Sequence, residues 1–161
     1  MIMESHTLQD KTGNGFSGEV ELVVFDVGDY MCALKSDEVR EIIRRQSLTN
    51  VRLAPSYVLG VINLRGKIVT VIDMRRKLQT GEAAATIRKD ERIIIVKSQG
   101  DESVGLLVDR VNDILIAKSE EIEQAPKNLG DGLGHYFKGI LKMKDSLVAV
   151  LDAERILMAD D

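Results

Sequence analysis

The chain has 161 residues, 22 Lys and Arg against 26 Asp and Glu, and a formal net charge of −4. Apolar residues make up 44%, Trp is absent and aromatics are only 4%. This balance excludes a basic nucleic-acid footprint and a base-stacking platform, and calls for one compact domain or two very small ones with an aliphatic core.

In chain order, residues 1–18 are polar and rich in Gly, Ser and Thr, without the order of a signal peptide, and read as a disordered tail. From Glu19 the pattern turns to short β-rich runs. Val20–Val27 and Tyr30–Leu34 flank Gly28-Asp29, a strong hairpin signal. Ser36-Asp37-Glu38 offers a helix cap with an acidic first turn. Val39, Ile42 and Ile43 follow at the i, i+3, i+4 spacing of a short helical face. Strands are predicted over Val58–Leu64 and Lys67–Ile72, with a tight turn at Arg65-Gly66. Asp73 then caps a short helix, Met74–Leu78.

Residues 81–90 read as a linker, after which the same programme restarts. Arg92–Val96 and Val104–Val108 are predicted strands around a turn at Gln99-Gly100-Asp101, and Val111, Ile114 and Leu115 repeat the apolar triplet. Gly60–Leu78 matches Gly139–Leu157 at an offset of 79 residues, with Gly60/Gly139, Asp73/Asp152 and Arg76/Arg155 among the identities. The earlier segments align at an offset of 71, from Glu21/Arg92 to Pro55/Pro126, because 8 residues are inserted around 127–136. Such self-similarity is the mark of a tandem duplication. Residues 19–80 and 91–157 are therefore predicted as two small β-barrels with short helices, followed by a C-terminal end at 158–161. Halves this small bury little surface alone, so they should pack together along a shared seam.

Parts for catalysis are few. His6 lies in the tail and His135 in the inserted loop, without a neighbouring nucleophile or metal partner. Cys32, the only cysteine, lies in an apolar strand and reads as a buried structural thiol; a single cysteine also excludes an internal disulfide and suits a reducing compartment. Gly130, Gly132 and Gly134 lack the strand-then-helix setting of a phosphate loop. No catalytic group, metal or cofactor is expected, and no apolar run approaches the ~20 residues of a membrane span. Two residues resist a bland explanation. Glu41 is an acid on the predicted half-buried helix, where a carboxylate wants a partner. Arg65 stands in a turn that prefers Asn, Asp or Gly. An Arg65–Glu41 pair, partly exposed, would account for both.

The runs Glu19–Ile43, Pro55–Leu78 with GVINLRG and VTVIDMR, Val104–Leu115, and Tyr136–Leu157 with VLDAERIL occur in this order. Together they resemble the CheW family of bacterial chemotaxis coupling proteins from Glu19 to Leu157. The resemblance implies two five-stranded SH3-like β-barrel subdomains and a non-catalytic adaptor in the cytoplasm, recruited to membrane-associated receptor arrays. It implies two partners, the regulatory domain of a CheA-type histidine kinase and the cytoplasmic hairpin tip of methyl-accepting chemoreceptors, with the receptor helix in an apolar groove between the barrels. The positions matching the family's partner-binding residues are Val39, Glu41, Gly60, Arg65, Gly66 and Val108. Arg52, where the family often has proline, and Met74, where Leu is usual, are mild departures. The alternative is a paralogous coupler of surface motility or gene regulation. An enzyme would need convergent polar groups for which only Glu41 and Arg65 are candidates, and an RNA-binding barrel conflicts with the charge.

Overall fold

A computed structural model describes residues 18–80, 89–98, 102–124 and 133–158. The predicted tail up to residue 17, most of the linker, the 99–101 turn, Pro126 and most of the insertion lie outside them. The protein is mainly β. Strands β1 (Glu19–Val27), β2 (Tyr30–Lys35), β3 (Val39–Arg44), β4 (Val58–Leu64) and β5 (Lys67–Asp73) lead into helix α1 (Met74–Lys77). Strands β6 (Arg92–Val96), β7 (Ser103–Val108), β8 (Arg110–Lys118), β9 (Ile122–Glu123), β10 (Phe137–Met143) and β11 (Ser146–Leu151) lead into α2 (Ala153–Leu157).

These strands form two sheets, ordered β8-β1-β2-β11-β10-β9 and β3-β6-β7-β5-β4. The sheets do not follow the sequence halves 19–80 and 91–157. The hairpin β1–β2 pairs into the sheet completed by β8–β11, while β6–β7 pairs into the sheet of β3, β4 and β5. The two halves thus exchange their leading hairpins, joined by parallel pairs of β2 with β11 and β5 with β7. Duplication is still visible within the exchange, because β8, β1, β2, β11 and β10 stand in the order of β3, β6, β7, β5 and β4.

Composition explains why these hairpins sit centrally. Val20, Leu22, Val24 and Ala33 face one core cluster, whereas Phe25, Val27, Cys32 and Leu34 face another. In β6–β7, Ile93, Ile95 and Leu107 line a third cluster, and Ile94, Val96, Leu106 and Val108 join the second. Strands apolar on both faces must be covered on both. The second cluster is therefore shared: the two hairpins pack through it, and each closes its own sheet's core with its other face.

Two predicted helices are strands. Ser36–Glu38 form a single 3-10 turn without a side-chain cap, and Val39 begins β3; Val111, Ile114 and Leu115 lie in β8. The helical spacing came from bulges. Val39 pairs with Val96 and Glu41 with Ile95, leaving Arg40 as the extra residue. Asp113 and Val111 likewise pair with the consecutive residues Val24 and Phe25. One extra residue turns the i, i+2 repeat of a strand face into i, i+3. The bulge in β3 also sends Val39 toward the shared core and Glu41 to the opposite face, where Ile43 packs on the third cluster.

The junction after β5 is as predicted, and the one after β11 repeats it. Asp73 accepts from the Arg75 N–H at 3.0 Å and Asp152 from that of Glu154 at 3.0 Å. The duplication is repeated bond for bond: Arg76 donates to the Ser56 carbonyl and Arg155 to that of His135, and the Asp73 and Asp152 N–H groups donate to Tyr57 and Tyr136.

Candidate functional site

The turn between β4 and β5 holds Arg65 at φ 51° and Gly66 at φ 83°. Two successive positive φ values are the signature of the two-residue turn that matches strand twist. Gly66 takes this conformation freely, and its N–H donates to the Asn63 side-chain oxygen at 2.9 Å. Arg65 does not, because a Cβ at positive φ crowds the carbonyl and costs about 1–2 kcal/mol. Its guanidinium nevertheless reaches Glu41 and donates to that carboxylate. The two residues lie on opposite edges of one sheet, Glu41 on β3 and Arg65 beside β4. The ion pair therefore spans the sheet's two edges. With side chains 68% and 29% exposed, it stabilises the fold by no more than about 0–1 kcal/mol.

Around this pair a recess of about 260 Å³ opens at the end of the sheet. Arg40, Glu41, Arg65, Lys67 and Ser103 supply its polar lining, and Leu64, Val69 and Ile95 its apolar wall. A second recess of about 360 Å³ opens between β7 and α2, lined by Ser98, Glu102, Val104, Glu154, Leu157 and Met158. Val104 and Leu157 rest there on the shared core, as Val39 does elsewhere on it.

The structure treats the six sequence-selected residues differently. Glu41, Arg65 and Gly66 come together at the turn, and Val39 is half-buried at the start of β3. Gly60 is buried in a bulge of β4, where a Cβ would stand 2.4 Å from the Thr49 carbonyl oxygen, so its place is a packing requirement. Val108, at 1% exposure, belongs to the shared core. Cys32 is buried, and desolvation, with the Asp26 charge adding to it, pushes its thiol up to about 12. It is inert packing. His135 is exposed, its ring set edge-on against Tyr136.

Sequence reasoning missed the charged residues between the sheets. Arg75 on α1 donates to Asp109 twice, at 2.8 and 2.6 Å, and the Gly28 N–H donates to the same carboxylate at 3.0 Å. Asp109, in the crossing from β7 to β8, thus ties the turn of β1–β2 to the other sheet's helix. On the same helix the Lys77 ammonium lies 3.8 Å from the centre of the Tyr57 ring and 5.4 Å from that of Tyr136, two residues equivalent by the duplication. A signal existed: Arg75 and Lys77 align with Glu154 and Ile156, so charge differs where the surrounding repeat agrees.

The cap at Asp73 carries a pH signature. Burial raises its carboxyl above the ordinary 3.8, opposed by the Arg75 and Arg76 N–H groups and guanidinium charges. A carboxyl raised in the folded state binds its proton more tightly there than in the unfolded chain. That contribution is fully present below the unfolded value and is lost as pH rises through the folded one. Asn keeps the capping oxygen without the charge, so Asp73→Asn should stay within about 1 kcal/mol of the parent at pH 7. Urea unfolding at lower pH should then move the difference in the parent's favour. A shift the other way would show a depressed carboxyl.

Comparison with known proteins extends this picture. The family model described as "CheW-like domain" matches residues 21–161. The chain is 33% identical over 151 residues to the chemotaxis protein CheW of Bacillus subtilis (strain 168), covering 94% of this chain and 91% of that one. It is 32% identical over 145 residues to the chemotaxis protein CheW of Rhizobium meliloti (strain 1021), covering 90% and 92%. The crystal structure of the scaffolding protein TtCheW from Thermoanaerobacter tengcongensis superposes with a TM-score of 0.75 at 31% identity, covering 83% of this chain and 88% of that one.

Proposed function

The chain belongs to the CheW-like domain family of chemotaxis coupling proteins, and from that membership we propose that it joins the cytoplasmic hairpin tip of methyl-accepting chemoreceptors to the regulatory domain of a CheA-type histidine kinase. It does so in the cytoplasm at membrane-associated receptor arrays, without turnover, by presenting surfaces that place both partners. The observation that carries this reading is the turn of β4–β5. A non-glycine residue is held in a strained conformation there, for an exposed ion pair that contributes almost nothing to stability. Strain without a stabilising return is expected where a side chain must be aimed at a partner. Glu41 aims Arg65, Gly66 allows the turn, and Val39 supplies an apolar anchor on the shared core.

Arg65→Ala should fold normally, with a melting temperature near the parent's, yet lose receptor-dependent control of the kinase. Arg65→Lys should recover only part of it, because an ammonium lacks the planar fork of a guanidinium. Melting curves and reconstituted kinase assays on Arg65→Ala, Arg65→Lys and Glu41→Ala check this; parent-like coupling by Arg65→Ala would leave the arginine a mere turn residue. Val39→Asp should weaken receptor-fragment binding while changing kinase-domain affinity little, since helix recognition in a groove relies on apolar anchors. Equal loss of both affinities in a titration would instead indicate damage to the fold.

A further inference from the structure

We propose that the recess at the end of the β3–β7 sheet is a carboxylate-binding pocket, and that its occupant is an acidic side chain of the kinase regulatory domain. This rests on the coupling function proposed above and names the chemistry of one of its contacts. Arg40, Arg65 and Lys67 bring three positive charges to the lining, against the single carboxylate of Glu41, which Arg65 already engages. The local excess of positive charge stands on a chain whose net charge is −4. Ser103, 8% exposed, lines the same recess and brings a hydroxyl to it. A hydroxyl among cations can donate to an acceptor that enters the recess. Apolar walls from Val69 and Ile95, both 1% exposed, lower the local dielectric and strengthen any charge-assisted bond formed inside.

Size and place decide the kind of occupant. About 260 Å³ admits one side chain and not a helix, which sets this recess apart from a groove for a receptor hairpin. The duplication supplies an internal contrast: Lys67 aligns with Ser146, and Ser103, opposite Val69, is matched by Met31 opposite Val148, so the second sheet lacks both donors and the pocket belongs to one end of the molecule alone. Attraction by such a cluster raises the association rate and falls with ionic strength.

The test uses the full chain, its Lys67→Glu, Arg40→Glu and Ser103→Ala variants, and the purified kinase regulatory domain, titrated at two salt concentrations. Each charge reversal should weaken binding at least tenfold at low salt and flatten its salt dependence, and Ser103→Ala should weaken it severalfold with the salt dependence kept. Melting temperatures and receptor-fragment affinity should stay at the parent's values. An Asp→Lys or Glu→Lys substitution on the regulatory domain should restore binding to Lys67→Glu specifically. Variants that bind as tightly as a binding parent would overturn the pocket and leave the coupling function standing. A parent that fails to bind the regulatory domain would overturn the coupling reading and this occupant with it. Loss of self-association alone, seen by sedimentation, would assign the pocket to a second copy of the chain and refute the proposal.

Discussion

Asp109→Ala should destabilise the protein by about 3–5 kcal/mol, the usual consequence of removing one member of a buried ion pair. The Asp109 and Arg75 side chains are only 15% and 10% exposed, so solvent screens them little. The substitution takes the Asp109 carboxylate away from the Arg75 guanidinium and removes the acceptor of the Gly28 N–H, which comes from the opposite sheet. For a chain of this size each kcal/mol shifts the midpoint by about 2–4 °C, so melting should fall by roughly 6–20 °C. The double variant Arg75→Met with Asp109→Leu should recover part of the loss, because an apolar pair needs no charge partner. Thermal and urea unfolding on the three proteins measures this. A loss below about 1 kcal/mol would mean that the pair behaves as a surface contact.

The second large effect is expected at Gly60. Its φ of 152° and the 2.4 Å approach of a would-be Cβ to the Thr49 carbonyl oxygen leave no room for alanine. That oxygen accepts from the Val61 N–H at 2.8 Å, and Val61 in turn accepts from Thr49 at 2.9 Å, so moving it breaks the bridge that holds the preceding loop to β4. Strain and overpacking each cost about 1–3 kcal/mol, and Gly60→Ala should lose on the order of 3 kcal/mol. Gly66→Ala is the control: nothing lies within 4 Å of its would-be Cβ, and only its positive φ resists, at about 1–2 kcal/mol. If the two variants melt together, close approach is not what requires glycine at position 60. Any drop in partner binding by Gly60→Ala should track the unfolded fraction, in contrast to Arg65→Ala.

Much of this protein was legible in its residues. The hairpin at Gly28-Asp29, the strands on either side of Arg65-Gly66 and the caps at Asp73 and Asp152 all depend on turn chemistry and short-range periodicity, which neighbours in sequence settle between themselves. The duplication and the family were legible too, and Arg65 and Glu41 stood out as residues in want of a partner, though not that they pair. Tertiary structure decided the rest. Residues 39–43 are a strand because β6 lies alongside to pair with them, and a bulge, invisible without its partner strand, produced the helical spacing. The exchange of hairpins between the halves is equally silent in local pattern. β1–β2 and β6–β7 are apolar on both faces, and that pattern is satisfied by either sheet. The place of Val108 in the core was silent for the same reason, since which face of a doubly apolar strand is covered depends on what packs there. Asp109 meets Gly28 across 81 residues and Arg75 across 34, and no rule of sequence spacing brings them together. Local signals specify the elements; which of them meet is set by burying both faces of the two central hairpins at once.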